Sequence, residues 1–228
     1  MIDTRSRSRF VPAVIIVVVL TLGAGCARVA TPKHDWSGFL EDYSLLRLGD
    51  SGDLPYVYRN PKARWTEYDQ VLFEPVTLWR SGKDALAAIP EEELLHLVAH
   101  FQRAVRSRLG AGFRLVNEPG PRTLRLRLAI TEARASDKAV DVLTAAPEDE
   151  RAAVDRGPLS PALTKFVAAA VVEGEIRDAA SGELLAQGID TRRRGAPVAI
   201  ATWEELDRAL AFWADKACGR LEARARGR

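Results

Sequence analysis

The chain has 228 residues, with 33 Lys and Arg against 31 Asp and Glu, for a formal charge of +2. So even a balance does not imply a nucleic-acid partner without a concentrated basic patch, and none is expected. The two cysteines, Cys26 and Cys218, give at most one disulfide, so a cross-linked miniature scaffold is excluded; 47% apolar residues suffice for an ordinary core.

The first predicted element is an address. MIDTRSRSR carries Arg5, Arg7 and Arg9 against Asp3, and Phe10 to Leu22 is apolar apart from Thr21. A bilayer-spanning helix needs roughly 20 apolar residues. The run is shorter than that and reads as the basic and apolar regions of an export signal. Gly23, Ala24 and Gly25 close it with small side chains, and Cys26 follows. LTLGAGC, Leu20 to Cys26, resembles the lipobox of bacterial lipoproteins, with Gly23 where that motif usually has leucine. The resemblance implies a signal peptide over 1–25, a diacylglyceryl thioether on the Cys26 thiol, palmitate-type acylation and Cys26 as the first mature residue. Ala27 in place of aspartate implies sorting to the periplasmic face of the outer membrane. Each buried methylene of the acyl chains contributes about 0.8 kcal/mol, so the membrane is the expected first partner. A retained N-terminal helix and a simple secreted protein are the alternatives.

Residues 26–64 are expected to be the lipidated N terminus and an irregular strap or linker. Pro32, Pro55 and Pro61 mix with Gly38, Gly49 and Gly52, which favours turns. Trp36, Phe39, Tyr43, Leu46, Tyr56, Tyr58 and Trp65 punctuate this stretch. Packing of these side chains across the domain is the first expectation, and display as a binding surface the second.

Residues 65–228 are expected to form one envelope domain. Val71 to Trp79 (VLFEPVTLW) reads as a strand in which Pro75 deletes a backbone donor, which places it at an edge or a bulge. A helix follows from Glu91 to about Leu109. Leu94, Val98, Phe101, Val105 and Leu109 form its stripe, Glu91, Glu92 and Glu93 sit at its positive end, Arg103, Arg106 and Arg108 at the other, and Gly110 can end it. GFRLVN, Gly112 to Asn117, is a short strand. TLRLRLAIT, Thr123 to Thr131, alternates with Leu124, Leu126, Leu128 and Ile130 on one face and Arg125 and Arg127 on the other.

Ser136 to Pro161 is rich in charge and holds Pro147, Gly157 and Pro158, so 136–161 reads as a flexible excursion with a candidate short helix at Ala146 to Val154. Thr164 to Arg177 reads as a strand. It carries Phe166, Ala168, Ala170, Val172, Gly174 and Ile176 on one face and Glu173, Glu175 and Arg177 on the other. The turn DAASGE, Asp178 to Glu183, joins it to LLAQGID, Leu184 to Asp190, as an antiparallel hairpin. Thr202 and Glu205 have capping-box spacing and open a last helix with Leu206, Leu210, Trp213 and Ala217 on one face. The order predicts an α/β fold, a single domain with a mainly antiparallel or mixed sheet and helices packed on one face.

WSGFLEDYSLLR (Trp36 to Arg47) and YVYRNPKARWTEYDQVLFEPVTLWR (Tyr56 to Arg80) resemble the opening signature of the bacterial lipoprotein family classed as domain of unknown function 3313. VVEGEIRDAASGELLAQGIDTRRRG, Val171 to Gly195, and the final helix around Trp203 and Trp213 extend the resemblance over nearly all of the mature chain. It implies an envelope address and a single α/β domain, and brings no catalytic residues with it.

The search for chemistry returns little. His96 and His100 share a helix face, with Glu92 one turn earlier, but HLVAH lacks the glutamate of the zinc-protease motif and only His34 remains elsewhere. Ser44, Ser51, Ser81 and Ser181 read as turn residues outside any GxSxG elbow. Glu173 and Glu175, at strand spacing, fit paired-carboxylate chemistry, and exposed alternating charge explains them more simply. Cys218 reads as a packed thiol. Arg192, Arg193 and Arg194 form either a solvated boundary or a recognition patch for an acidic envelope protein, headgroup or cell-wall polymer. The expectation is a non-catalytic, lipid-anchored binding, tethering or structural component of the cell envelope, with Cys26 as its lipidation site and no metal or cofactor. An envelope enzyme acting on cell wall or lipid, and a small-ligand carrier, are the alternatives.

Overall fold

The computed structural model describes residues 36–81, 86, 88–131, 140–144, 157–191 and 200–227. Contacts divide the chain between Lys33 and His34, and every described residue belongs to the second unit. Cys26, Arg192, Arg193, Arg194 and the candidate helix Ala146 to Val154 lie outside the described residues.

In chain order the strands are β1 (Arg47–Leu48), β2 (Tyr56–Arg59), β3 (Gln70–Phe73), β4 (Thr77–Ser81), β5 (Arg114–Val116), β6 (Thr123–Thr131), β7 (Val140–Thr144), β8 (Val171–Asp178) and β9 (Leu184–Thr191). The helices are α1 (Glu91–Gly112), α2 (Pro161–Ala169) and α3 (Trp203–Ala225). Among the described residues the strands make one mixed sheet in the order β1-β2-β9-β8-β6-β3-β5, with β4 also on β6 and pairing β7. β3 and β4 run parallel to β6, and β3 parallel to β5, across the α1 crossover; the remaining pairs are antiparallel. The α/β architecture with a mixed sheet and packed helices is as the sequence predicts.

Three local expectations need correction. Val71 to Trp79 is two strands, broken at Pro75. Phe73 pairs with Leu126 and Thr77 with Ala129, so this edge holds one more residue than β6 does over the same span, which is a β-bulge. The bulge leaves no donor stranded: Glu74 N–H reaches Leu126 O at 3.0 Å, and Val76 N–H reaches the buried Gln102 side chain of α1 at 2.6 Å. The run Thr164 to Arg177 is a helix followed by a strand. Leu163, Phe166 and Val167 are buried at helical spacing, Ser160 accepts from Leu163 N–H at 3.2 Å, and Pro161 sits in the first turn. Alanines at alternate positions imitate a strand period because they are small enough for either geometry. Finally, the span 136–161 contains β7, antiparallel to β4.

Two layers of side chains hold the sheet. On the helical side, Leu94, Val98, Phe101, Val105 and Leu109 of α1 are buried against β6 leucines and the inner face of α3. Burying each such side chain is worth about 1.5–3 kcal/mol. On the other side, residues 36–46 cross the sheet as a strap. Phe39, Leu40 and Leu46 cluster with Ala129, Val171 and Ile189, joined by Trp36, Tyr43, Tyr56, Tyr58 and Trp79. Trp36 stacks on Tyr43 at 5.0 Å, and Phe39 meets Trp79 edge-on at 5.5 Å. The stretch read as irregular also supplies β1 and β2, which extend the sheet beyond β9.

Candidate functional site

The paired carboxylates are not exposed. Glu173 is 2% and Glu175 1% accessible, because the strap covers the sheet face to which their strand positions point them. Glu173 accepts from the Tyr43 hydroxyl at 2.6 Å and from Thr131 Oγ1 at 3.1 Å. The Tyr43 oxygen is itself held by the backbone N–H groups of Gly38 at 3.0 Å and Leu40 at 3.2 Å. Burial pushes the Glu173 carboxyl above the usual carboxylate range, and pushes the Tyr43 hydroxyl up to about 12, with the Glu173 charge adding to the latter. Glu175 accepts from Arg127 at 2.6 Å and from Arg177 Nε at 3.1 Å. Arg177 reaches on to Glu41 at 2.8 Å, and Arg127 lies over the Phe39 ring at 5.1 Å. Alternation identified the face; what covers that face comes from far earlier in the chain. The arrangement is a polar lock between strap and sheet.

The other chemical candidates are also engaged. His100 is buried, bonds Asp207 through Nδ1 and stacks on Trp203 at 5.0 Å; burial holds its pKa below the ordinary histidine value despite Asp207. His96 meets the same indole edge-on at 5.9 Å, while Glu92 is exposed. Among the described residues, no group of three His, Cys, Asp or Glu is placed to hold a metal ion. Cys218 is buried in the core, and burial pushes its thiol up to about 12, far from thiolate reactivity. Ser51 and Ser181 lie in turns, whereas Ser44 is in a single turn of 3-10 helix and Ser81, expected in a turn, ends β4. Asp178 accepts from the N–H groups of Ala180 at 3.0 Å and Ser181 at 2.6 Å in the hairpin.

An apolar concave feature lies on the opposite, helical side. Gly174 of β8 and Gly188 of β9 are register partners, flanked in the same row by Leu128 of β6 and Val57 of β2. Two adjacent positions without side chains leave a trough in the sheet that the Leu128 and Leu54 side chains partly fill. A methyl group at either would displace a leucine: a Cβ on Gly174 would sit 2.6 Å from Leu128 Cδ2, and one on Gly188 2.5 Å from Leu54 Cδ1 and 3.2 Å from Tyr56 O. α3 roofs the trough with Trp213, Ala217, Leu221 and Arg224, one helical face in steps of three and four. The hollow is half-open, about 120 Å³ and mostly apolar, with Leu54 of the β1–β2 loop at its lip and Asp53, Arg59, Arg220 and Arg224 around its mouth. At the other end Asp190 accepts from Trp213 Nε1 at 2.7 Å.

Sequence reasoning placed Gly174 on the apolar face of its strand and Trp213 and Ala217 on the inner face of the helix, yet missed the site they build. An isolated glycine within a strand signals a bulge or a close approach. Two of them signal a trough only when the hairpin register sets them side by side.

Comparison with known proteins adds a family and two relatives. The family profile described as "Protein of unknown function (DUF3313)" matches residues 35–217. Proteins named "Uncharacterized lipoprotein YdcL" in Escherichia coli strain K12 and in Escherichia coli O157:H7 are each 26% identical over 126 residues, 54% of this chain. The match spans 56% of those relatives' own length. No solved structure matches the chain.

Proposed function

This chain belongs to the DUF3313 family, and from that membership we propose a lipid-anchored, non-catalytic binding protein of the bacterial envelope. The relatives that match it are named lipoproteins, and LTLGAGC supplies the matching processing site, with Cys26 as the acylated residue at the periplasmic face of the outer membrane. The observation that carries the binding reading is the apolar cavity of about 120 Å³ between α3 and the Gly174–Gly188 trough. Small-molecule sites are typically hollows lined mostly by apolar side chains with a few placed polar groups, and this smaller hollow has that composition. Support for a non-catalytic role comes from the carboxylates and the thiol that hydrolytic chemistry would recruit: Glu173 and Glu175 are saturated by the strap and by arginines, and Cys218 is packed. The anchor confines the domain to the membrane surface, which raises its encounter rate with anything released there.

Mass spectrometry of protein purified from bacterial envelopes tests both halves. The N-terminal peptide is expected to begin at a triacylated or diacylated Cys26; an unmodified peptide running through Gly25 defeats the anchor. Native spectra are expected to show a small molecule that leaves on denaturation, and a native mass equal to acylated chain alone defeats the binding role.

A further inference from the structure

We propose that the cavity takes a monocarboxylate with a short aliphatic tail, the tail lying in the apolar hollow between the sheet and α3 and the carboxylate meeting the Arg224 guanidinium at the mouth. This rests on the reading of the cavity as a binding site and names its ligand class.

Volume sets the tail. An engineered apolar cavity of about 150 Å³ stays dry and admits benzene, so a half-open hollow of about 120 Å³ is of the size for an aliphatic tail of a few carbons. Walls of Leu126, Leu128, Val172 and Ile176 offer that chain no hydrogen bond, and Asp190 at the inner end is already taken by Trp213. A polar head therefore has one way to face, toward the mouth.

Charge sets the head. Three guanidinium groups and one carboxylate surround the mouth. Arg59 pairs with Asp53, and Arg220 donates to the Gly52 carbonyl. Arg224 is half-buried and, among the described residues, donates no side-chain hydrogen bond and forms no ion pair. Desolvation and the neighbouring Arg59 and Arg220 hold its pKa below the ordinary arginine value, with Asp53 opposing them only in part. The Arg224 nitrogens remain open to solvent, and one planar anion can take two parallel N–H···O bonds from such a guanidinium. One unpaired guanidinium calls for one negative charge, which favours a carboxylate over a phosphate dianion beside Asp53.

The test uses the full chain in lipid nanodiscs, titrated with 13C-labelled hexanoate, with hexanol and with inorganic phosphate, and empty nanodiscs as the blank. Hexanoate is expected to bind at least about tenfold more tightly than hexanol, the range of one charge-assisted hydrogen bond, and phosphate not at all. Arg224→Gln is expected to weaken hexanoate about tenfold and leave hexanol unchanged. Ala217→Leu, which fills the trough from the helix, is expected to abolish both without lowering the melting temperature; Ala217→Val serves if leucine overpacks. Equal affinity for hexanoate and hexanol, or hexanoate binding indifferent to Arg224→Gln, overturns the carboxylate while the cavity remains a site. Phosphate binding as well as hexanoate overturns the aliphatic tail. If neither the acid nor the alcohol binds, the aliphatic ligand class is overturned, and the native mass spectra decide separately whether the binding function stands.

Discussion

Glu173 shows what one residue contributes to the chain's response to acid. Its carboxyl is buried, and burial raises its pKa above the unfolded value of 4.5 even though Tyr43, Ser37 and Thr131 donate to it. A raised pKa means that the folded chain holds this proton more tightly than the unfolded chain. The stability so gained is complete below the unfolded pKa and is lost as pH rises through the folded one. Glu173→Gln is uncharged throughout. The stability of the wild type relative to Glu173→Gln is therefore expected to fall as pH rises from the unfolded value of 4.5 through the raised folded value and then level off, as read from urea denaturation at stepped pH. A difference that stays flat, or rises with pH, refutes the assignment. The position of this residue was legible, since period two puts Glu173 and Glu175 on one face. Its environment was not, because Tyr43 lies 130 residues away in sequence, and no local pattern carries a contact of that separation.

At the scale of elements, legibility followed local chemistry. α3 begins where Thr202 and Glu205 said it would, with the Thr202 side chain accepting from Glu205 N–H at 3.2 Å and the glutamate reaching back to the Thr202 N–H at 3.2 Å. Thr202→Ala removes one acceptor for an orphan helical donor, and is expected to cost about 1 kcal/mol in urea denaturation with an unchanged m-value. The DAASGE turn was equally local, and Asp178 and Gly182, at φ 76°, close it. α2 was misread because Ala168 and Ala170 fit a strand or a helix alike, and only the burial of Leu163 with Phe166 and Val167 decides between them. β7 and the β1–β2 edge escaped notice for a different reason. Short strands become strands only when a neighbour pairs them, and the neighbours here are β4 and β9.

At the scale of the whole molecule, the sheet is a wall with helices on one side and a strap on the other. The strap is part of the fold and not a leash that happens to lie near it. Phe39 is buried against Trp79 and beneath Arg127, so Phe39→Ala is expected to cost about 3–5 kcal/mol. Tryptophan fluorescence and far-ultraviolet circular dichroism are expected to report the same shifted midpoint in one cooperative transition. A separate early step seen by fluorescence alone would mean that the strap is a detachable flap.

The strap also sets an order of events. Chains are made from the N terminus, so Trp36, Phe39 and Tyr43 are among the first described residues to emerge. Their partners Glu173 and Ile189 are among the last before α3. β3, β4, α1, β5 and β6 are close in sequence and can assemble early, whereas the strap has to wait for the β8–β9 hairpin before it has a surface to cover. The earliest aromatic residues to appear are the latest to be hidden. Through most of its synthesis this chain carries a sticky, unfinished beginning, which is the interval in which a holding chaperone has something to hold.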